Sequence, residues 1–93
     1  MHNRILKRMQ EKIRTRQYVM TLHAEDEMSS DGLGIDDLES TVFAGQISER
    51  QKDRMSSEWK YLIRGKSLAG ENVTVVAKIG PTNKLVFITV FRE

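Results

Sequence analysis

The sequence contains no cysteine and no long apolar run, and each absence excludes a class of protein. Without cysteine the fold can use neither disulfide bonds nor thiolate metal ligands, so it does not depend on an oxidising compartment. The longest nearly apolar run covers residues 85–90, which is far too short to span a bilayer, and no apolar signal core follows the basic N-terminus. We therefore expect a cytoplasmic protein that contacts no membrane.

The length of 93 residues limits the number of hydrophobic cores. A chain of this size buries one modest core and is too short for a second. We predict a single domain over residues 1–93, in which residues 1–17 form a basic amphipathic helix and residues 18–93 form the core of the fold.

Charge is divided along the chain into three blocks, although the formal net charge is only +2. Residues 1–17 hold six Lys or Arg against one Glu, and residues 18–45 hold seven acids and no Lys or Arg. Residues 46–93 hold nine Lys or Arg against five acids. A polyanion such as RNA is attracted to the two basic blocks and repelled by the acidic one.

The first block has the pattern of an amphipathic helix. Ile5, Met9 and Ile13 recur every four residues among charged side chains. Such a helix covers one side of a core and leaves a solvated basic face. Contact of that face with RNA is a second use, and a partner helix or an acidic lipid surface are alternatives.

The acidic block predicts one short strand and two helices. β-branched and aromatic residues favour a strand over 18–22. A helix then begins near His23, and a second helix spans 35–44 and stops at Gly45. The acids near the helix starts favour the positive end of the helix dipole, so we predict no metal site and no cofactor.

The third block has the alternation of β-strands. Side chains on a strand point to opposite faces in turn, which gives Lys60 and Arg64 one face and Lys78 the corresponding face of a later strand. We therefore expect each of these strands to have one wet, basic face. The final strand is apolar on both faces and is expected to be central. The predicted strand ranges are an entry at 47–50 with a polar turn or strand end at 50–54, then 59–65, 73–79 and 85–91.

These patterns predict an α+β fold, in which N-terminal helices pack on one face of a twisted, mainly antiparallel sheet of four or five strands. Lys60, Arg64 and Lys78 are expected on the open face of that sheet. The cations before them in the chain are expected to join this surface, which would suit contact with RNA phosphates. Those cations are Arg50, Lys52 and Arg54. The alternative is that these charges only keep the sheet soluble and protect its edges.

Trp59 and Tyr61 share the other face of their strand. Aromatic rings in this position usually belong to a core, but they could also stack on unpaired bases.

His23 has two interpretations as well. An imidazole titrates near neutral pH and can exchange protons with a substrate, whereas a histidine just before a helix is often only a capping or packing residue.

From about Tyr18 to Phe91 the sequence resembles a bacterial family, the domain-of-unknown-function 4258 family. The resemblance is carried by short motifs spread over most of the chain. They are His23-Ala24 with Met28, Gly32-Leu33 with Ile35 and Leu38, Gly45-Gln46-Ile47, Trp59-Lys60-Tyr61 with Gly65, and Ile88-Thr89-Val90-Phe91. Many members of the family carry an Arg just before the Met of the first motif, where this chain has Glu27.

The resemblance implies a fold similar to that of the RelE toxins and the toxin of a type II toxin-antitoxin pair, which would cut mRNA without a metal. Its partners would be RNA, which could be mRNA on the ribosome, and a cognate antitoxin, which could be of the zinc-finger type. Metal-free cleavage needs a proton acceptor, cations for the phosphorane and a proton donor. We assign His23 as general base or acid, Arg64 and Lys78 as charge stabilisers, and Tyr61 or Thr89 as a minor hydrogen-bonding partner. Two other readings stay open: a non-catalytic module that binds RNA or protein, and a scaffold that binds only an antitoxin.

Overall fold

The computed structural model describes residues 3–55 and 57–93, so Met1 and His2 of the predicted N-terminal helix lie outside the described residues. The described residues form three helices and a five-stranded sheet. The first strand follows the first helix, and the other four strands follow all three helices. The elements in chain order are α1 (Asn3–Arg14), β1 (Tyr18–Met20), α2 (Leu22–Asp31), α3 (Ile35–Ala44), β2 (Gln46–Lys52), β3 (Trp59–Lys66), β4 (Asn72–Ile79) and β5 (Leu85–Arg92).

The strands lie side by side in the order β1-β5-β4-β3-β2. β1 runs parallel to β5, and every other neighbouring pair is antiparallel. All three helices contribute side chains to the core on one face of this sheet. The predicted α+β fold, with helices against a mainly antiparallel sheet, is thereby confirmed. The prediction that the last strand is central needs a correction: β5 is interior, but β4 is the middle strand.

The core lies between the helices and the inner face of the sheet. Ile63 of β3, three alternate residues of β4 and three inward-facing residues of β5 are buried there, and so are residues that recur along the apolar sides of the three helices. Burial of each such side chain contributes on the order of 1.5–3 kcal/mol. The largest fully buried apolar side chains are Phe87, Met9, Leu38, Ile63, Leu85, Val42, Val73, Val75 and Val90.

The first strand is shorter than predicted because Thr21 caps α2. Its hydroxyl accepts a hydrogen bond from the Ala24 backbone N–H at 3.1 Å, which is the N-cap interaction. The same hydroxyl donates to the Ile88 carbonyl of β5 at 3.1 Å. The strand therefore ends at Met20, and the helix begins at Leu22, one residue before the predicted start at His23.

The end of α3 lies unusually close to β3. A Cβ atom added to Gly65 would collide with the Thr41 carbonyl oxygen, and one added to Gly45 would collide with the carbonyls of Thr41 and Arg64. Both obstacles are backbone, which no side-chain rotation can relieve. Two glycines thus allow α3 to pack directly on the strand.

The outer face of β4, opposite the helices, is drier than the strand pattern predicts. Thr74 is fully buried and Val76 is 9% exposed, so the expectation of a wet face is wrong for this strand. The cause is its central position: Arg64 of β3 and Phe91 of β5 stand directly opposite Thr74 on either side. The Thr74 hydroxyl has no hydrogen-bond partner within the described structure.

We predict that Thr74→Val stabilises the protein by about 1 kcal/mol. The substitution keeps the shape of the side chain and removes a buried polar atom that folding strips of water without replacing its hydrogen bond. Thermal unfolding should show the gain as a higher Tm. Thr41→Val is the matched control, because the Thr41 hydroxyl donates to the Asp37 carbonyl at 2.7 Å, so no gain is expected there. A lower Tm for Thr74→Val would contradict the prediction.

Candidate nucleic-acid interface

The pairing of β2 with β3 divides the candidate cations between two faces. Ser48 is an extra residue in β2: Ile47 stands opposite Ile63, and the next paired residue is Glu49, opposite Leu62. This β-bulge shifts the alternation of every later residue in β2 by one. Strict alternation would place Arg50 and Lys52 on the outer face, as the sequence predicted.

With the bulge, Arg50 stands opposite Tyr61 and Lys52 stands opposite Trp59. Residues directly opposite on antiparallel strands share a face, so both cations lie on the inner face of the sheet. The expectation that they join Lys60 on the outer face is therefore wrong.

Trp59 is flanked by both cations. The Arg50 guanidinium carbon lies 4.0 Å from the centre of the indole ring, and the Lys52 ammonium lies 5.2 Å from it. These are cation–π distances. Trp59 remains 42% exposed. An accessible aromatic ring with two attached cations is the result.

A cleft of about 240 Å³ adjoins the indole and lies between the start of α1 and the ends of β3 and β4. Its lining is largely apolar and aromatic, with one guanidinium and one carboxylate; the lining residues are Ile5, Arg8, Glu58, Trp59, Tyr61 and Ile79. The Arg8 guanidinium donates to the Asn83 side-chain oxygen at 2.7 Å, which holds it at this cleft. We refer to Arg8, Arg50, Lys52, Trp59 and Tyr61 as the Trp59 surface.

Arg8 was not among the RNA-binding residues predicted from the sequence. The pattern of α1 indicates a basic face and mentions RNA only as a second use of it. Nothing in the spacing of α1 shows that one of its cations reaches residues more than fifty positions later in the chain. Only the packing of α1 beside β3 brings Arg8 to Tyr61 and Trp59.

Lys78 lies on the outer face and is held by two acids. Its ammonium is 3.1 Å from a carboxylate oxygen of Asp53 and 3.1 Å from one of Glu58, and its side chain is 15% exposed. Burial by itself would lower the pKa of Lys78, but the hydrogen bonds and charges of Glu58 and Asp53 outweigh it and raise that pKa above its ordinary value. The three charges together are net negative, which opposes the predicted role of Lys78 toward a phosphate.

Lys60 and Arg64 lie on the outer face, as predicted. The Arg64 side chain is 63% exposed, and its Nε is 3.9 Å from a Glu93 carboxylate oxygen. It borders an open cleft of about 500 Å³ at the end of β3. Thr89 lies on the same face of β5, half-buried opposite Val76, and Arg54 lies exposed in the turn after β2.

His23 lies on α2 at the opposite edge of the sheet from the Trp59 surface. Its side chain is 67% exposed, and its Nε2 is 3.3 Å from a Glu27 carboxylate oxygen. α2 packs against β5, whereas Arg64 is on β3, two strands away. Two strand spacings amount to about 10 Å. The Lys78 ammonium is directed to the acids beside the β2–β3 turn, so the fold does not gather His23, Arg64 and Lys78 into one site.

Glu27, where many relatives are expected to have Arg, has a structural role here. β1 pairs with only the first three residues of β5, so the later part of that strand lacks a neighbour on this side. The Glu27 carboxylate accepts a hydrogen bond from the Val90 N–H at 2.9 Å, and the Asp31 carboxylate accepts one from the Arg92 N–H at 3.1 Å. One helical turn of four residues rises about 6 Å and two strand residues about 6.8 Å, so the spacings match. In the sequence, only the i,i+4 spacing of the two acids points to this arrangement.

The carboxylate of Asp37, at the start of α3, binds two backbone N–H groups. The Asp37 carboxylate accepts hydrogen bonds from the Gly34 N–H at 2.9 Å and from the Leu68 N–H at 3.0 Å. Within residues 3–55 and 57–93, no group of three or more His, Asp or Glu side chains is placed to hold a metal ion. None of the helices in that part of the chain has the length and apolar character needed to cross a bilayer.

We predict that Lys78→Met lowers the free energy of unfolding by about 1–3 kcal/mol at neutral pH, because it leaves Asp53 and Glu58 close together without their shared donor. The pKa of Lys78 is raised in the folded state, so its stabilising effect is complete below the unfolded lysine pKa and disappears as pH rises through the folded one. Denaturant titration should thus show that the difference in the free energy of unfolding between Lys78→Met and the wild type becomes smaller above about pH 10.5. Lys60→Met, a change on the same face, is the control, and an equal loss in both variants would contradict the prediction.

Residues 20–92 match the model of a protein family that is described as a domain of unknown function, DUF4258. Comparison with curated proteins and with solved structures gives no match.

Proposed function

The chain belongs to the DUF4258 family, and we propose that it binds single-stranded RNA through the Trp59 surface. One observation supports this most directly: the exposed Trp59 ring carries the guanidinium of Arg50 at 4.0 Å and the ammonium of Lys52 at 5.2 Å. Aromatic rings with adjacent cations are what single-strand binding requires, because bases stack on the ring while phosphates pair with the cations.

The shape of the surface favours unpaired bases over a duplex. The cleft beside Trp59 has a volume of about 240 Å³ and has the Tyr61 ring and the Ile79 side chain in its wall, so it offers apolar contact to a single base. A base within a duplex is already stacked on both sides and cannot enter such a cleft without unpairing. Arg8 at the rim is in position to meet the phosphate of the inserted nucleotide.

The charge distribution also favours this end of the molecule. β2 and β3 lie at one edge of the sheet, whereas β1 and α2, which belong to the acidic block, lie at the other edge. A polyanion that approaches the Trp59 surface therefore meets Arg50 and Lys52 first and stays away from the acids of α2.

We predict that Trp59→Ala weakens binding of a fluorescently labelled single-stranded RNA by about 5- to 150-fold, which corresponds to the loss of about 1–3 kcal/mol of stacking. Fluorescence anisotropy measures the change. Arg50→Gln should weaken binding. It should also reduce the slope of the logarithm of the binding constant against the logarithm of the salt concentration by the amount that corresponds to about one phosphate contact. Because Trp59 is the single tryptophan of the chain, RNA should also quench the intrinsic fluorescence of the wild type.

Lys60→Gln is the matched control. It removes the cation that follows Trp59 in β3 and lies on the outer face of the sheet. Its RNA affinity should stay within a factor of about two of the wild type, apart from the general loss of one positive charge. Equal affinity of Trp59→Ala and Lys60→Gln would contradict binding at the Trp59 surface.

A second candidate function is the one that the family resemblance implies: a toxin of a type II toxin-antitoxin pair that cuts mRNA without a metal and is held inactive by a cognate antitoxin. The pair of His23 and Glu27 supports it, because an exposed imidazole 3.3 Å from a carboxylate is the arrangement of a general base with its supporting acid. His23 would take the proton of the 2′-hydroxyl, and Glu27 would stabilise the imidazolium that forms. Arg64 would stabilise the phosphorane only if the RNA lies across β5 and β4.

For this candidate we predict that purified protein cuts RNA in the presence of EDTA and that His23→Ala lowers the cleavage rate by about 100-fold or more. Gel analysis of end-labelled RNA measures the rate. Asp26→Ala, an exposed change on the same helix, should cut as fast as the wild type. Equal rates for His23→Ala and wild type would exclude His23 from the reaction, and RNA binding without any cleavage would leave the RNA-binding function alone.

A further inference from the structure

Glu58 brings a carboxylate into the cleft beside Trp59, and the proposed RNA binding gives this group no role. The cleft is otherwise lined by apolar and aromatic side chains and by the Arg8 guanidinium. The Glu58 side chain is 30% exposed, so a ligand in the cleft can reach it. A carboxylate repels the phosphates of RNA. A favourable contact between Glu58 and another part of the nucleotide would offset that repulsion.

The position of Glu58 is fixed by its neighbours. Its backbone carbonyl accepts a hydrogen bond from the Asp53 N–H at 2.7 Å, and its Oε1 accepts one from the Lys78 ammonium at 3.1 Å. A carboxylate has two oxygens with about four acceptor sites, so the bond to Lys78 leaves sites for a ligand. As the ionised partner of a lysine, this carboxylate accepts hydrogen bonds and donates none. Glu58 therefore requires donors from whatever occupies the cleft.

The four bases of RNA differ in the donors that they present to a carboxylate. On its Watson–Crick edge guanine has two adjacent donors, the N1–H and the 2-amino group. Adenine and cytosine each have one donor next to an acceptor, and uracil has one donor between two acceptors. An acceptor placed against a carboxylate oxygen is repelled, so only guanine can donate to both oxygens at once.

We propose that the cleft beside Trp59 selects guanine among the bases of single-stranded RNA. This inference rests on the RNA binding proposed above and adds the identity of the bound base. The guanine ring contacts the aromatic side chains of Trp59 and Tyr61, which line the cleft. Its N1–H and 2-amino group donate to the Glu58 carboxylate, while Arg8 meets the phosphate.

The expected preference follows from the hydrogen bonds that a wrong base cannot make. A bidentate contact between a side chain and a base edge discriminates against other bases by about 5- to 150-fold. Because Glu58 is partly exposed, water can replace some of the missing bonds when another base is present. We therefore expect the lower part of that range, about 5- to 20-fold in favour of guanine.

Fluorescence anisotropy of the wild-type chain tests the proposal with three labelled RNAs. Each is a run of uridines about nine nucleotides long, with guanosine, inosine or adenosine at its centre. The guanosine RNA should bind about 5- to 20-fold more tightly than the adenosine RNA, and the inosine RNA, which lacks the 2-amino group, should lie between them. Equal binding of the guanosine and adenosine RNAs would overturn the proposal and leave RNA binding intact. No binding of any of the three would overturn the proposed RNA binding itself, and this inference with it.

Glu58→Gln tests the residue that reads the base. Its amide has one donor beside one acceptor, which matches the edge of adenine, so the ratio of guanosine to adenosine affinity should fall to about one or below. Asp53→Asn is the matched control, because Asp53 also pairs with Lys78 at 3.1 Å but does not line the cleft, and it should keep the preference for guanine.

Circular dichroism checks that both variants fold. A preference for guanine that is unchanged in folded Glu58→Gln would overturn the proposal. Equal loss of the preference in Glu58→Gln and Asp53→Asn would overturn it as well, since the pairing of Lys78 rather than a contact with the base would then decide the preference. The three RNAs with the wild-type chain decide the proposal even if Glu58→Gln does not fold.

Discussion

The extra residue in β2, Ser48, decides which side chains can act together. Its hydroxyl donates to the Leu62 carbonyl at 3.4 Å, within the gap in the ladder where the bulge lies. Because side chains alternate with a period of two, one inserted residue moves all later side chains of the strand to the other face. Arg50 and Lys52 thus reach Trp59, and the outer face of β2 keeps Glu49 instead.

A second bulge has a comparable effect on β5. Ile88 has no partner on β4, since Phe87 stands opposite Ala77 and Thr89 stands opposite Val76. The shift turns Val90 into the core and Phe91 outward. This bulge lies beside the part of β5 that β1 does not reach. Carboxylates of α2 accept hydrogen bonds from the backbone N–H groups of that part of the strand. The same irregularity therefore decides which side chains of β5 face outward, and it lies beside the Val90 and Arg92 N–H groups that donate to Glu27 and Asp31.

The two faces of the sheet consequently differ in the partners that they suit. One end of the inner face combines an exposed indole with three cations, which is the basis of the proposed RNA binding. The outer face has apolar side chains at its centre and ion pairs at its ends. Lys78 illustrates the difference, because Asp53 and Glu58 use its charge to join the β2–β3 turn to the sheet rather than to attract an anion. Its predicted role in catalysis rested on its charge and on its expected place on the open face of the sheet.

The sequence by itself determined the element types, their order and the α+β class, because these depend on local periodicity and on residues such as Gly45 that end an element. It also singled out His23, Trp59 and the cations of the third block as candidate functional residues. Only the tertiary structure decided which of them meet, since a face depends on register, and two single-residue bulges changed it without any mark in the hydrophobic pattern. Arg8 reaches Trp59, and His23 stays two strands from Arg64, for the same physical reason: contacts between distant segments are set by packing and strand order, which no local pattern encodes.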